Sequence, residues 1–439
     1  MASAYGHKLN PYRSLKQPLG VKGIRQTVVI TNNPSTIDQN QTLLVRFPNL
    51  GVNDVIVPGS VRLAFEIALT SSTDVNRTIV NNLSRAIIKK KAVKIEGNEV
   101  LSVDDCDVYD CFNDLWTPPP LAVNGAYQGI SISSDGSDNE NMLALRVNAG
   151  NKDVANKRDK SIADVFGNRF YIPLDFELLD SHMPFYQSAL ADRLSYELTF
   201  NDYSRVIKAS DTAATYGISG ISFEYEMVTN TDLARQIKQQ LQGRVAVLYE
   251  RVLRHRKMTV NKSDTVWNIN LNTPAKSLKG VLMLFEDPAS GGEAWDRDTR
   301  EYYNPLIEKV EVTIEGIPNQ LFAHGMKPYQ QWDETLKRFG GNPGLHLPDT
   351  IVHTIKSLGL LGVSLSDYLT SKFCCWLDMR TTDDDGIHGS GRRIENGSEG
   401  ITIQITKKAE SPGALNMYLY VIMDAQLNIE DGRFKSALY

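Results

Sequence analysis

Cysteine, histidine and tryptophan are scarce in this chain: four, seven and five among 439 residues. Cys106 and Cys111 stand five apart and Cys374 and Cys375 are adjacent, so neither pair has the spacing of a zinc knuckle. A disulfide between chain neighbours would be strained. Reduced thiols acting as small apolar side chains are therefore expected. The histidines are scattered, and the nearest pair, His346 and His353, fits neither a one-turn helical zinc site nor a strand pair. No metal is expected. Long apolar runs are missing too: nothing approaches the ~20 residues of a membrane helix. The first 20 residues carry positive charge but no apolar stretch, unlike a secretory signal. Folding in the cytosol or nucleus is the expectation.

Catalytic and cofactor motifs are also wanting. There is no Gly-x-Ser-x-Gly elbow. Gly340-Gly341-Asn342-Pro343-Gly344 lacks a following lysine, and Pro343 lacks an N–H that a phosphate loop would use. Asp383-Asp384-Asp385-Gly386 lacks the alternating ligands and distal glutamate of a calcium loop, and reads as a solvated turn. No cofactor is expected. A net charge of -5 argues against nucleic-acid binding over the whole surface.

What is present is a repeat. Val93-Lys94-Ile95-Glu96-Gly97 returns as Val312-Thr313-Ile314-Glu315-Gly316, each with a lysine three residues ahead, Lys90 and Lys309. Further on, Phe170-Tyr171-Ile172-Pro173-Leu174-Asp175-Phe176 is echoed by Phe373-Cys374-Cys375-Trp376-Leu377-Asp378-Met379. A strand pattern ahead of the first echo, residues 61–69, is matched by residues 279–285. The order is the same in both halves, which points to duplication of one β domain. The length agrees, since chains this long ordinarily split into two domains.

Strand signals dominate from Thr27 onward. Val61, Leu63, Phe65, Ile67 and Leu69 alternate with other residues, the period of a half-buried strand. Residues 92–101 read as a hairpin turning at Gly97-Asn98. Residues 104–116 read as a helix with Val108, Cys111, Phe112 and Leu115 on one stripe. Residues 329–339 mirror it, with Trp332, Leu336 and Phe339. Asn230 or Thr231 can cap, and Gly243 can end, a helix between the halves. The basic cluster Arg251, Arg254, His255, Arg256 and Lys257 reads either as a nucleic-acid patch or as an edge strand with one charged face, and its alternation with apolar residues favours the strand.

Many short strands with few helices mean a sandwich or barrel. The fold class expected is all-β: a double jelly roll, two tandem eight-stranded antiparallel sandwiches with short helices. The boundaries read as a basic N-terminal arm at 1–26, jelly roll 1 at 27–229, a helical connector at 230–258 and jelly roll 2 at 259–439.

Ser60-Val61-Arg62-Leu63-Ala64-Phe65-Glu66, Val93 to Val100, Asp107 to Trp116 and Arg193 to Phe200 together resemble segments of double jelly-roll viral major capsid proteins. The nearest likeness is to polinton-like and adintovirus-like coats, in the lineage of virophage capsid proteins and adenovirus hexon. The resemblance implies a structural shell protein, not an enzyme: a homotrimer forming six-sided tiles of an icosahedral shell. Implied partners are neighbouring capsomers, the penton and other minor capsid proteins. The alternative is a carbohydrate-binding or carbohydrate-processing β-sandwich, for which Glu66, Glu96, Glu224, Glu226 and Glu315 would be the strand carboxylates to consider.

Two sets of residues are candidates for contacts. Lys8, Arg13, Lys16, Lys22 and Arg25 make the first segment basic with no offsetting acid. It reads either as a strap on its own domain or as an interior-facing arm that meets a genome, an internal membrane or acidic patches on adjacent subunits. Trp295, Tyr302 and Tyr303 stand in a charged, loop-like stretch and are the candidate subunit-contact aromatics.

Overall fold

The computed structural model describes residues 24–31, 36–47, 51–57, 60–70, 78–80, 82–116, 129, 169–174, 194–208, 215–240, 243–288, 301–314, 316–318, 324–339, 363, 365–381, 389–394, 400–431 and 433–438.

The first half contributes β1 (Ile24–Thr31), β2 (Thr42–Arg46), β3 (Arg62–Thr70), β4 (Ile88–Ile95), β5 (Asn98–Asp104), β6 (Arg169–Pro173), β7 (Leu194–Phe200) and β8 (Thr215–Thr229). The second contributes β9 (Arg244–Asn261), β10 (Val266–Leu271), β11 (Ala275–Glu286), β12 (Ile307–Ile314), β13 (Ile317–Pro318), β14 (Cys374–Asp378), β15 (Ile401–Lys407) and β16 (Ala414–Glu430). In the first half the sheets run β1-β8-β3-β6 and β2-β7-β4-β5. In the second they run β9-β16-β11-β14 and β10-β15-β12-β13, the same order with every number raised by eight. Short strands extend the larger sheets, Thr36–Asp38 and Asp54–Ile56 on β8, Arg392–Ile394 on β11 and Arg433–Leu438 on β16. The sheets of each half meet through aromatic side chains. Phe47 packs edge-on to Phe223 at 5.0 Å, and Trp267 stacks on Phe285 at 5.9 Å. Each half is a jelly roll, and the chain is a double jelly roll.

The duplication extends to residue register. Leu63 faces Ile172 and Ala64 faces Tyr171 in the first roll; Met283 faces Cys375 and Leu284 faces Cys374 in the second. Val61 to Glu66 therefore corresponds to Val281 to Glu286, which shifts the expected match at residues 279–285. The other sheet agrees. Ile95 opposite Leu194 becomes Ile314 opposite Ile401, and Val93 opposite Tyr196 becomes Val312 opposite Ile403. The bulge is copied as well. Phe200 skips to Ile88, and Lys407 skips to Ile307. The echoed Ile-Glu-Gly marks a hairpin. Glu96 and Gly97 have φ of 48° and 82°, and Gly316 has 76°. Positive φ at both central positions lets a two-residue turn follow the right-handed twist of its strands, which favours glycine. The turn is thus Glu96-Gly97, one residue before the Gly97-Asn98 expected.

Three helices fall close to expectation, α1 (Cys106–Trp116), α2 (Thr231–Gln240) and α3 (Pro328–Phe339); α4 (Leu365–Thr370) was not expected. Asn230 caps α2, its Oδ1 accepting from the N–H groups of Asp232 and Leu233 at 3.0 Å each. Two boundaries move. Arg25, read as part of the arm, sits in β1 opposite Val228. Residues 244–258, read as connector, are most of β9, which pairs with β16 along its length. β9 is an edge strand of the larger sheet, as the alternating basic cluster implied. Lys8, Arg13, Lys16, Lys22 and Trp295 lie outside the described residues.

Candidate functional site: the seam between the two rolls

The two rolls share a single apolar core, and α1 lies at the junction. It starts where β5 ends, at Asp105, whose φ of 45° turns the chain. Val108, Cys111 and Phe112, three of the four stripe residues, are buried, and so are Tyr109 and Trp116. Phe112 packs edge-on to Tyr302 at 5.4 Å and to Phe339 at 5.3 Å. Trp116 lies 6.2 Å from Trp332, and Tyr109 lies 5.3 Å from Tyr420. A helix of the first roll thus buries its aromatic side chains against α3 and β16 of the second. Pairs in this geometry add about 0.5–1.5 kcal/mol each beyond their buried area.

Polar bonds fix the register of the seam. Tyr249 donates to the Val100 carbonyl at 2.9 Å, and Tyr420 donates to that of Asp105 at 2.7 Å. Arg254 bonds the Asp105 carboxylate at 2.5 Å. Arg205 bridges the rolls, bonding Asp107 at 2.7 Å and Glu286 at 2.9 Å. Burial works against the charge on Arg205, but Asp107 and then Glu286 outweigh it and hold the guanidinium well above its ordinary pKa. The basic cluster on β9 thus uses Arg254 as a link to the first roll.

Tyr302 belongs to this seam. It is 1% exposed, and its hydroxyl donates to the Val108 carbonyl at 2.8 Å. Its ring has no face left for a neighbouring subunit, because it fills the space between α1 and the second roll. Tyr303 is partly buried; its hydroxyl bonds Glu410 and its ring lies 4.6 Å from Lys262 Nζ. Asp107, Arg205, Tyr249 and Tyr420 were not singled out from the sequence. One signal pointed to them. From Met417 to Met423 the strand is apolar on both faces, which means that something covers the outer face as well.

Two of the carboxylates considered for sugar chemistry, Glu66 and Glu224, are held by cations. Glu224 accepts from Arg62 at 3.0 Å and from Arg169 at 3.3 Å, and Arg169 also lies 3.9 Å from Glu66. Arg62 stacks over Tyr171 at 4.3 Å. By register, Ser222, Glu224 and Glu66 of the first roll stand where Tyr418, Tyr420 and Glu286 meet α1 and Arg205 in the second. The same outer face is covered by α1 in the second roll; in the first, Ser222 and Glu224 are buried beneath Arg62 and Arg169, and the Arg62 side chain is 44% exposed.

No family model matches the chain, and no curated protein matches it. Solved structures do. The chain is similar to PBCV-1 VP54, as fitted into a reconstruction of the virophage Sputnik, with a TM-score of 0.56 at 13% identity over 96% of this chain and 98% of that one. It is similar to the Faustovirus major capsid protein, with a TM-score of 0.57 at 10% identity over 94% and 91%. It is similar to the mavirus major capsid protein, with a TM-score of 0.51 at 10% identity over 94% and 90%. At these identities the likeness establishes the double jelly-roll fold.

Proposed function

We propose that this chain is the major structural protein of an icosahedral viral shell. It assembles as a homotrimer whose six rolls make a pseudo-hexagonal tile. The observation that carries the reading is the seam. A duplicated domain whose first copy docks side-by-side on its second carries a second version of each half of that contact. The β12–β13 hairpin and the start of α3 correspond to the β4–β5 hairpin and α1. They expose Ile317 at 62% and Tyr329 at 72%. The outer face of the first roll, with Arg62, Arg169 and Tyr171, corresponds to the covered face of the second. Arginine and tyrosine are enriched at interfaces. Three seams within chains and three between chains close a ring, and closed rotational symmetry is the rule for soluble oligomers.

The basic arm, Lys8 to Lys22, faces the shell interior and meets a genome, a membrane or acidic patches on adjacent subunits. Trp295 belongs with the subunit contacts. Neighbouring tiles, a penton and minor capsid proteins are the remaining partners. The carbohydrate reading has less support, because Glu66 and Glu224 are bridged by Arg169. Light scattering on the purified chain tests the proposal. A trimer or closed shells support it, and a monomer at micromolar concentration overturns it.

A further inference from the structure

A buried group of charged side chains lies at one end of the second roll, one residue on from the seam's Glu286 and Tyr302. Lys262, just past β9, contacts the carboxylate of Asp287, just past β11. The side chains are 13% and 2% exposed. The Tyr303 ring lies 4.6 Å from Lys262 Nζ, and its hydroxyl bonds Glu410. The Glu410 backbone N–H donates to the Lys262 carbonyl at 3.1 Å. Lys407 is 0% exposed, with Nζ bonded to the carbonyls of Lys262 and Lys408 at 2.6 Å each and 3.3 Å from Glu410 Oε1. Glu410 Oε1 is buried and takes no hydrogen bond among the described residues.

Packing does not account for this group, because the first roll solves the same packing problem without charge. By register Lys407 corresponds to Phe200, each directly after the shared bulge. Asp287 follows Glu286 as Ile67 follows Glu66. Phe200 and Ile67 are both 0% exposed. Removing charges from water costs more than apolar packing at such a position, and ion pairs replaced by apolar residues are often neutral or stabilising. The second roll therefore bears a cost that its sibling avoids.

The arrangement has the parts of an amide-forming site: an amine in contact with a carboxyl, burial that limits water, and a carboxylate and an aromatic ring beside the amine. We propose that Lys262 and Asp287 become joined through their side chains by an amide bond formed after folding. Proton transfer within the ion pair gives the neutral amine and the carboxylic acid. Lys262 Nζ attacks Asp287 Cγ, the Nζ–Cγ bond forms, the Cγ–OH bond breaks, and one Nζ proton leaves with the hydroxyl as water. No oxidant or other reactant is needed. Glu410, bonded to the hydroxyl of the Tyr303 ring that lies over Lys262 Nζ, steadies the charge that develops on the amine as the bond forms. Holding the reactants in contact supplies the high effective concentration that such a condensation requires. The link would tie strands β9 and β11 across β16, which lies between them, whatever the assembly state of the chain.

Intact-mass measurement of the denatured full-length protein is the test. The expected mass is lower than that of the sequence by one water, and a proteolytic digest should yield one branched peptide joining the Lys262 and Asp287 segments. Lys262→Arg, which keeps the ion pair, should restore the full mass. In Glu410→Gln with an unchanged circular dichroism spectrum, the link should form more slowly by about a hundredfold. Wild-type protein at the full sequence mass overturns the proposal. So does a one-water loss that persists in Lys262→Arg, which would locate the dehydration elsewhere. Unchanged linkage in Glu410→Gln overturns the role given to Glu410.

Discussion

Tyr302 of the second roll donates its hydroxyl hydrogen to the Val108 carbonyl of the first at 2.8 Å, and the ring packs edge-on to Phe112. One side chain thus holds the end of a loop against a helix 194 residues away in sequence. Replacing it with phenylalanine leaves the ring in place and removes the donor. Tyr302→Phe should cost about 1 kcal/mol, and Tyr302→Ala about 3–5 kcal/mol through the cavity it leaves. Urea denaturation of the two variants checks both the size and the order of these effects.

Arg205 should matter more than a surface ion pair. Asp107 and Glu286 have side chains 5% and 15% exposed. Arg205→Met leaves two mostly buried carboxylates without their cation, and the expected loss is about 3–5 kcal/mol. Restoring neutrality with Asp107→Asn and Glu286→Gln should recover part of it. A triple variant no more stable than the single one would argue against the charge explanation.

His255 gives the seam strand a pH response. Burial, and then the charge of Arg256, hold its imidazole below the ordinary value of 6.5. The unfolded chain then binds a proton more readily than the folded one as pH falls. Its contribution is fully present above 6.5 and is lost as pH drops through the depressed folded value. His255→Gln should flatten the dependence of unfolding free energy on pH just below 6.5, relative to wild type. Parallel urea titrations of the two proteins would show it.

The proposed subunit contact can be broken without touching the fold. Ile317 and Tyr329 are 62% and 72% exposed in the single chain. Ile317→Glu and Tyr329→Glu should change chain stability by no more than about 0.5 kcal/mol. Together they should convert the trimer to monomer in light scattering. A trimer of unchanged mass would mean that the assembly uses another face.

The arm can be removed ahead of β1, which starts at Ile24. A chain lacking residues 1–22 should keep its β spectrum and its melting temperature. Shell assembly should be impaired and should lose part of its salt sensitivity, because exposed charges are screened over about 10 Å at 0.1 M salt. Normal closed shells with unchanged salt response would make the arm a strap.

Much of the fold was legible because its causes are local. The alternation in β3 follows from one wet and one dry face. The Ile-Glu-Gly echo follows from the dihedral angles of a tight turn, and Asn230 caps α2 within three residues of itself. Duplication made these signals audible twice, and in the smaller sheets the register agrees even at the bulge, although the β3–β8 bulge between Ser219 and Ser222 has no counterpart at the matching place between β11 and β16. Boundaries were less legible. Arg25 and Arg244 carry charge on strands, and composition alone cannot separate a charged edge strand from an arm or a linker.

The sequence by itself determined the all-β class, the duplication and the three longest helices, because hydrophobic period, turn chemistry and caps act over a few residues. Only the tertiary structure decided what the exposed-looking groups are for. Tyr302 looked like a surface aromatic, yet the first roll covers it. Asp107 and Arg205 gave no sign of a partnership 98 residues apart. Lys262 and Asp287 are an unremarked lysine and aspartate until β9 and β11 come to flank β16. Burial and pairing depend on which distant surface arrives, and that is set by how the two rolls dock, a property of the whole chain.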